Sequence, residues 1–172
     1  MFKIGTMVVY GNTGVCEVID HTTPNLPGIE KGKLYYALRP LYQSGTIYCP
    51  AGEPKVFMRP VITREEAEKL IDLIPEISAE PYRGGGRLQD ISEHYRNIIG
   101  THRCGDLIEV IMSVYSKKQE AEANGRRLSQ LDDRYMKLAE DLLYGELAVA
   151  LDIPKEEVRP YIARRVHELE SR

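Results

Sequence analysis

No stretch of this 172-residue sequence approaches the ~20 consecutive apolar residues that a membrane-spanning helix needs. The opening Met1-Phe2-Lys3-Ile4-Gly5 carries no long apolar segment and no cleavage site, so a secreted destination is not expected. Only three cysteines occur, Cys16, Cys49 and Cys104, widely spaced and without a CxxC pair. That pattern argues against a disulfide framework and against a zinc site, and a reduced cytoplasmic protein is the expectation. The four histidines, His21, His94, His102 and His167, are scattered. His94 and His102 are separated by Gly100, so no helical face pairs them as metal ligands. There is no GxSxG nucleophile elbow. Gly84-Gly85-Gly86 lacks the Lys-Ser/Thr of a phosphate loop and reads as a flexible hinge. Cys16 and Cys49 fall in predicted strands, where an inert buried thiol is expected. No catalytic residue, metal or cofactor is assigned, and an enzyme is not expected.

What is present is ordinary globular composition. Apolar residues are 42% and charged residues 28%, which excludes disorder of the whole chain. The length suffices to bury a core without staples. The net charge of −3 hides an asymmetry: residues 1–62 carry +2 and the remainder −5. A uniformly basic nucleic-acid binder is excluded, whereas a local basic face is not.

The first 62 residues punctuate like a small β domain. Met7–Tyr10 is apolar and β-branched, and Gly11-Asn12-Thr13-Gly14 follows as a turn. Val15–Asp20 alternates with a period near two; Leu34–Leu38 closes on Arg39-Pro40; Thr46–Pro50 and Val56–Met58 supply two more strands. Five short strands with Gly/Pro breaks predict a strongly bent sheet or barrel.

After Pro60 the period changes. Thr63-Arg64-Glu65-Glu66 is a capping box, and Ala67, Leu70, Ile71 and Ile74 recur at helical spacing until Pro75. Residues 75–87, with Pro75, Pro81 and three glycines, read as a linker. Ile91, Tyr95, Ile98 and Ile99 line the next helix, with Gly100 as its C-cap. Asp106 is expected to cap a third, with Leu107, Val110, Ile111, Val114 and Tyr115 inward. Ser129 is expected to cap a fourth, with Leu131, Tyr135, Leu138, Leu142 and Leu147 on its core stripe. Asp152-Ile153-Pro154 restarts a terminal helix, which Pro160 should break or kink. The fold class is therefore α+β: an N-terminal β domain, residues 1–62, then an all-α domain, residues 63–172.

One pattern goes beyond periodicity. Phe2-x-x-Gly5-x-x-Val8-Val9-Tyr10-x-x-x-Gly14-Val15-x-x-Val18-Ile19 resembles the opening of the CarD/CdnL family of bacterial transcription regulators. Tyr35-Tyr36-Ala37-Leu38 followed by Thr46-Ile47-Tyr48-Cys49-Pro50 resembles the family's central strand and its later strand ending in proline. Ser129 through Tyr144-Gly145-Glu146-Leu147-Ala148 resembles its late helix. These motifs stand in the family's order over about residues 1–151; residues 152–172 read as a variable extension. The resemblance implies a Tudor/SH3-like β domain that binds the β subunit of RNA polymerase. It also implies a helical domain that touches promoter DNA at the upstream edge of the melted bubble and alters open-complex stability.

On the polymerase side the resemblance implicates Thr22, Thr46, Ile47, Tyr48 and Pro50, with Thr46–Pro50 as an edge strand able to accept a partner's strand. The family often has basic residues where Tyr48 and Thr22 stand here. Tyr48 can serve as an aromatic anchor or cover the sheet face. On the DNA side family members carry a wedge tryptophan before a basic stretch. This sequence has no tryptophan, and the aligned position is Ile91, which also fits a core stripe. Tyr82 and Tyr95 are the other candidates for the wedge. The cations expected to hold phosphates are Arg83, Arg87, Arg96, Lys117, Lys118, Arg126, Arg127 and Arg134. Ser129 joins them at a helix N-terminus. Asp132, Asp133, Glu120 and Glu122 stand near several of them, so a solvated, ion-paired surface is the competing reading. Two functions stay open: a regulator bridging polymerase and promoter DNA, and an adaptor that binds polymerase or another partner without touching DNA. Oligomeric state is not legible, and a cytoplasmic, nucleoid-associated location follows from the resemblance.

Overall fold

The computed structural model describes all 172 residues and divides them into two compact units, Met1–Ile62 and Thr63–Arg172. The first is an antiparallel sheet of five strands: β1 (Met7–Tyr10), β2 (Gly14–Thr22), β3 (Tyr35–Pro40), β4 (Ile47–Pro50) and β5 (Met58–Pro60). Their order is β4-β3-β2-β1-β5, so β4 and β5 are the two edges. The β1–β2 hairpin turns through Gly11 at φ +46. A Cβ there would also lie 2.6 Å from a Val56 methyl, so only glycine fits. One face of the sheet buries Val8, Cys16, Val18, Tyr36, Leu38 and Cys49. A bulge between Val18 and Asp20 increases the bend of β2. The sheet rolls far enough for Cys49, on one edge, to meet Met58, on the other, at 3.6 Å. This is the bent sheet expected from the strand spacing, left open rather than closed.

The second unit is all-helical: α1 (Arg64–Leu73), α2 (Leu88–Ile99), α3 (Cys104–Ala123), α4 (Gln130–Leu151) and α5 (Lys155–Glu170). A five-stranded β domain followed by an all-helical domain is thus the observed α+β architecture. No helix is long and apolar enough to cross a membrane. The capping box is formed: Thr63 Oγ1 accepts the Glu66 N–H at 3.1 Å, and Glu66 accepts the Thr63 N–H at 3.2 Å. Replacing Thr63 by Ala is expected to cost about 1 kcal/mol, read as a lower midpoint in urea unfolding with an unchanged slope.

Several sequence expectations are corrected here. Asp106 does not cap α3; the helix starts at Cys104, and Asp106 sits inside its first turn, accepting from Thr101 Oγ1 at 2.6 Å. Tyr115 faces outward, 55% exposed, because the inward stripe continues through Val114 to Lys117. Residues 75–87 are not a free linker: Ser113 donates to the Glu80 carbonyl at 3.0 Å, and the Tyr82 ring stacks on His94 at 3.6 Å. Pro160 does not break α5, which runs through it. It removes one backbone bond near the helix start, while tertiary contacts hold the rest. Val158 is fully buried, Tyr161 donates to Glu68, and Arg165 grips Asp72 through two bonds of 2.7 and 3.1 Å. The C-terminal segment is therefore an integral helix of this unit, packed on α1 and α4.

Candidate functional site

Two places gather the sequence candidates, one in each unit. The first is the free border of β4. Its partner strand β3 pairs Tyr36 with Cys49, Ala37 with Tyr48 and Tyr35 with Pro50. The Ala51 N–H donates to the Leu34 carbonyl at 3.0 Å just beyond the strand. Antiparallel ladders alternate bonded and non-bonded pairs, so Tyr36/Cys49 and Leu38/Ile47 are the bonded ones. The N–H and C=O of Tyr48 therefore point away from β3, as does the C=O of Pro50. Pro50 suits this register, since the position needs no donor toward β3.

Side chains sort the same way. Tyr48 and Pro50 lie on the face opposite the sheet core, and Thr22, paired with Tyr35, shares the row of Pro50. Tyr48 is 37% exposed. Thr46 is exposed just before the strand, whereas Ile47 turns inward and packs on the core. The β4 end opens on a cavity of about 600 Å³ lined by Leu34, Tyr35, Pro50 and Ala51, with Lys33 and Lys55 also contributing. The thiols nearby are inert. Burial pushes Cys16 up to about 11 and raises Cys49 as well.

The second place is a groove of about 500 Å³ in the helical unit. Five of the DNA candidates line it: Arg83, Ile91, Lys117, Arg127 and Ser129. Gly85 and Gly86, at φ +64 and +84, form a wall without side chains, and a Cβ on either would meet open space. Ala121 and Leu128 complete the apolar lining beside Ile91. Ile91 itself is 8% exposed, a core residue with one side on the groove.

The floor is a buried polar network. Asp132 Oδ1 accepts from the Tyr95 hydroxyl at 2.6 Å and from the Lys117 ammonium at 3.0 Å; Asp132 Oδ2 accepts from Ser129 Oγ at 2.7 Å. Ser129 also caps α4 by accepting the Asp132 N–H at 3.1 Å. Burial pushes the Asp132 carboxyl up. The hydrogen bonds from Tyr95, Ser129 and Lys117, with the Lys117 charge, outweigh that and hold it below the usual carboxylate range. Burial, reinforced by Asp132, raises Tyr95, which stays protonated as a donor. His94, stacked under Tyr82, is lowered by burial and by Lys117.

This network corrects three expectations. Lys117 is 8% exposed and committed to Asp132, so it is a core cation rather than a surface phosphate contact. Asp132 is buried rather than part of a solvated face. Tyr95, 1% exposed, is no wedge. Arg83 is exposed and pairs with Glu120. Arg127 is exposed and makes no ion pair. Arg87, Arg96, Lys118 and Arg126 are exposed but lie outside the groove lining, and the Arg134 guanidinium covers the Tyr135 ring at 5.1 Å. Sequence reasoning missed Asp132 and the glycine wall. The Ser-x-x-Asp spacing from Ser129 to Asp132 was the available signal for the first.

Comparison with known proteins addresses the β unit. No curated protein matches the chain. A family model described as CarD-like/TRCF RID domain matches residues 2–62, the whole of the sheet unit but for Met1. The sheet carrying the free β4 border is therefore similar, over residues 2–62, to the RNA polymerase-interacting domain that this family model describes.

Proposed function

We propose that the protein is a non-catalytic transcription regulator that holds the β subunit of RNA polymerase at β4 and contacts upstream promoter DNA through its helical unit. By adding contacts to the melted promoter complex it changes the lifetime of that complex. The observation that carries the reading is a sheet, similar to a polymerase-interacting domain, whose β4 border exposes unpaired backbone groups at Tyr48. An added strand gains main-chain hydrogen bonds there, with Tyr48, Pro50, Thr22 and Thr46 placed for side-chain contacts. Phosphates are met by Arg83, Arg87, Arg96, Lys118, Arg126, Arg127 and Arg134. Their contribution is sequence-independent and salt-sensitive. The helical unit is acidic overall, so its DNA affinity depends on the high local concentration that polymerase binding provides.

The test is the open-complex lifetime on one promoter, with and without the protein, across a salt series. Reversing Arg126 and Arg127 to Glu is expected to shorten the effect and to lower the salt slope by about 1.8, near 0.9 per phosphate lost. An unchanged slope removes both residues from the DNA face. The adaptor reading is favoured by one observation: Lys117 and Arg83 are already engaged by carboxylates. It requires a lifetime that the full chain alters without any change in salt slope for any of these arginine variants.

A further inference from the structure

Residues 77–87 cross the helical unit as a strap laid over α2 and α3. None of them is buried. The strap's backbone bonds are local: the Gly86 N–H donates to the Arg83 carbonyl at 2.8 Å, and the Ile77 N–H to that of Ile74 at 3.1 Å. Side chains tie it down. Ser113 Oγ donates to the Glu80 carbonyl at 3.0 Å, and Arg83 pairs with Glu120 at the surface. Tyr82 lies flat on His94, the ring centroids 3.6 Å apart and the planes 14° from parallel. Between the strap and the two helices is a cavity of about 240 Å³, with Ser78, Glu80, His94, Glu109 and Ser113 on its walls. A segment with few buried groups opens locally at little cost, and an exposed ion pair adds little to its hold. Of the ties, the ring stack is the one that includes a group titrating near neutrality.

Closing the strap takes water from the imidazole face that Tyr82 covers. The charges around His94 are mixed. Lys117, on α3, opposes an imidazolium, whereas Glu109 on α3 and Glu80 on the strap favour it. Asp132, on α4, is already engaged by Lys117 and Tyr95. On α2 itself Asp90 lies one turn earlier, Glu93 is exposed, and the Tyr95 ring is tilted against His94 at 5.8 Å. Burial and the Lys117 charge prevail and hold His94 below its ordinary range. The closed strap therefore favours the neutral imidazole. Its hold is complete above the ordinary value of about 6.5 and weakens as pH falls below that value.

We propose that the strap is a pH-sensitive clasp, in which protonation of His94 releases residues 77–87 from α2 and α3. The strap carries Arg83 and ends at Arg87, so release frees two of the cations assigned above to phosphates. That consequence rests on the proposed DNA contact; the clasp itself does not.

The full-length protein is digested with proteinase K at about pH 7.5 and about pH 5.5, and cleavage within the strap is divided by that of a peptide of residues 77–87 in the same buffer. The peptide cancels the protease's own pH dependence. If the closed state excludes the proton, the opening equilibrium grows about ten-fold between these two conditions, and normalised cleavage is expected to rise by up to that factor. His94→Phe keeps a flat ring under Tyr82 and removes the proton, so its normalised cleavage is expected to stay level. The coupling is reciprocal. In Tyr82→Leu the His94 imidazole, followed by its ring-proton resonances, is expected to titrate closer to about 6.5 than in the wild type. Normalised cleavage that does not rise on acidification, or that rises equally in His94→Phe, overturns the clasp. So does a His94 titration that is the same in the wild type and in Tyr82→Leu. None of these measurements involves DNA, so failure of the clasp and failure of the DNA contact are read separately.

Discussion

Asp132→Ala is expected to destabilise the helical unit by about 3 kcal/mol, the effect of leaving a buried charge without its partner. Lys117 is 8% exposed, and Asp132 is its only carboxylate. Without Asp132 the ammonium keeps a single bond, to the Tyr95 hydroxyl at 3.2 Å, and Tyr95 loses its acceptor. The α4 cap is loosened too, since Ser129 Oγ donates to the same carboxylate. The double variant Lys117→Met/Asp132→Leu is expected to recover most of the loss, because removing both charges leaves none stranded. Urea unfolding of the three proteins at neutral pH checks this; a double variant as unstable as the single one refutes the charge explanation. The pH dependence follows with a definite sign. The folded Asp132 carboxyl titrates below its unfolded value, so its contribution is complete above about 4. The unfolded state binds the proton first, and stability falls as pH drops through the folded value. The acid limb of the wild-type stability curve, below about 4, should flatten in Asp132→Ala.

The same network explains what sequence reading could and could not reach. Strands and helices were legible because their signals are local: alternation in Val15–Asp20, the capping box at Thr63, the stripe Ile91-Tyr95-Ile98-Ile99. The β4 edge was legible for the same reason, since Pro50 announces a missing donor two residues after Tyr48. Lys117 was not. Its charge alone places it in solvent, and only a carboxylate fifteen positions away, brought back by the α3–α4 hairpin, makes burial tolerable. Gly84-Gly85-Gly86 failed in the opposite direction. Three glycines signal freedom in a sequence, yet here they are a fixed turn at positive φ that walls a groove. Pro160 was over-read because one lost backbone bond is small beside the contacts of Val158, Tyr161 and Arg165.

The groove and the sheet edge differ in how their residues were found. The groove collects Arg83, Ile91, Arg127 and Ser129 from two loops and one helix, and no spacing rule joins them. At β4 the relevant atoms belong to one short strand, so the reading from residues and the ladder geometry address the same peptide groups. That makes the edge the place where a single substitution separates folding from binding.

Tyr48→Pro is expected to weaken binding to the isolated β lobe of RNA polymerase about 30-fold, the equivalent of about 2 kcal/mol. The substitution removes the outward N–H of the edge and the aromatic side chain together, and its ring obstructs an approaching strand. It leaves the fold intact. The Tyr48 N–H faces away from β3, Ile47 is already extended, and an edge position tolerates proline. Ile47→Pro is the internal control. It takes away an N–H that belongs to the ladder with Leu38 and a side chain packed on the core, so stability should fall while the outer edge groups remain. The opposite edge, β5, is three residues long and ends at Pro60, a poorer template for strand addition. Titration of the β lobe against full-length wild type and Tyr48→Pro, with thermal unfolding of each, checks the assignment. An unchanged dissociation constant with an unchanged melting temperature would move the polymerase contact off β4 and onto another part of the sheet.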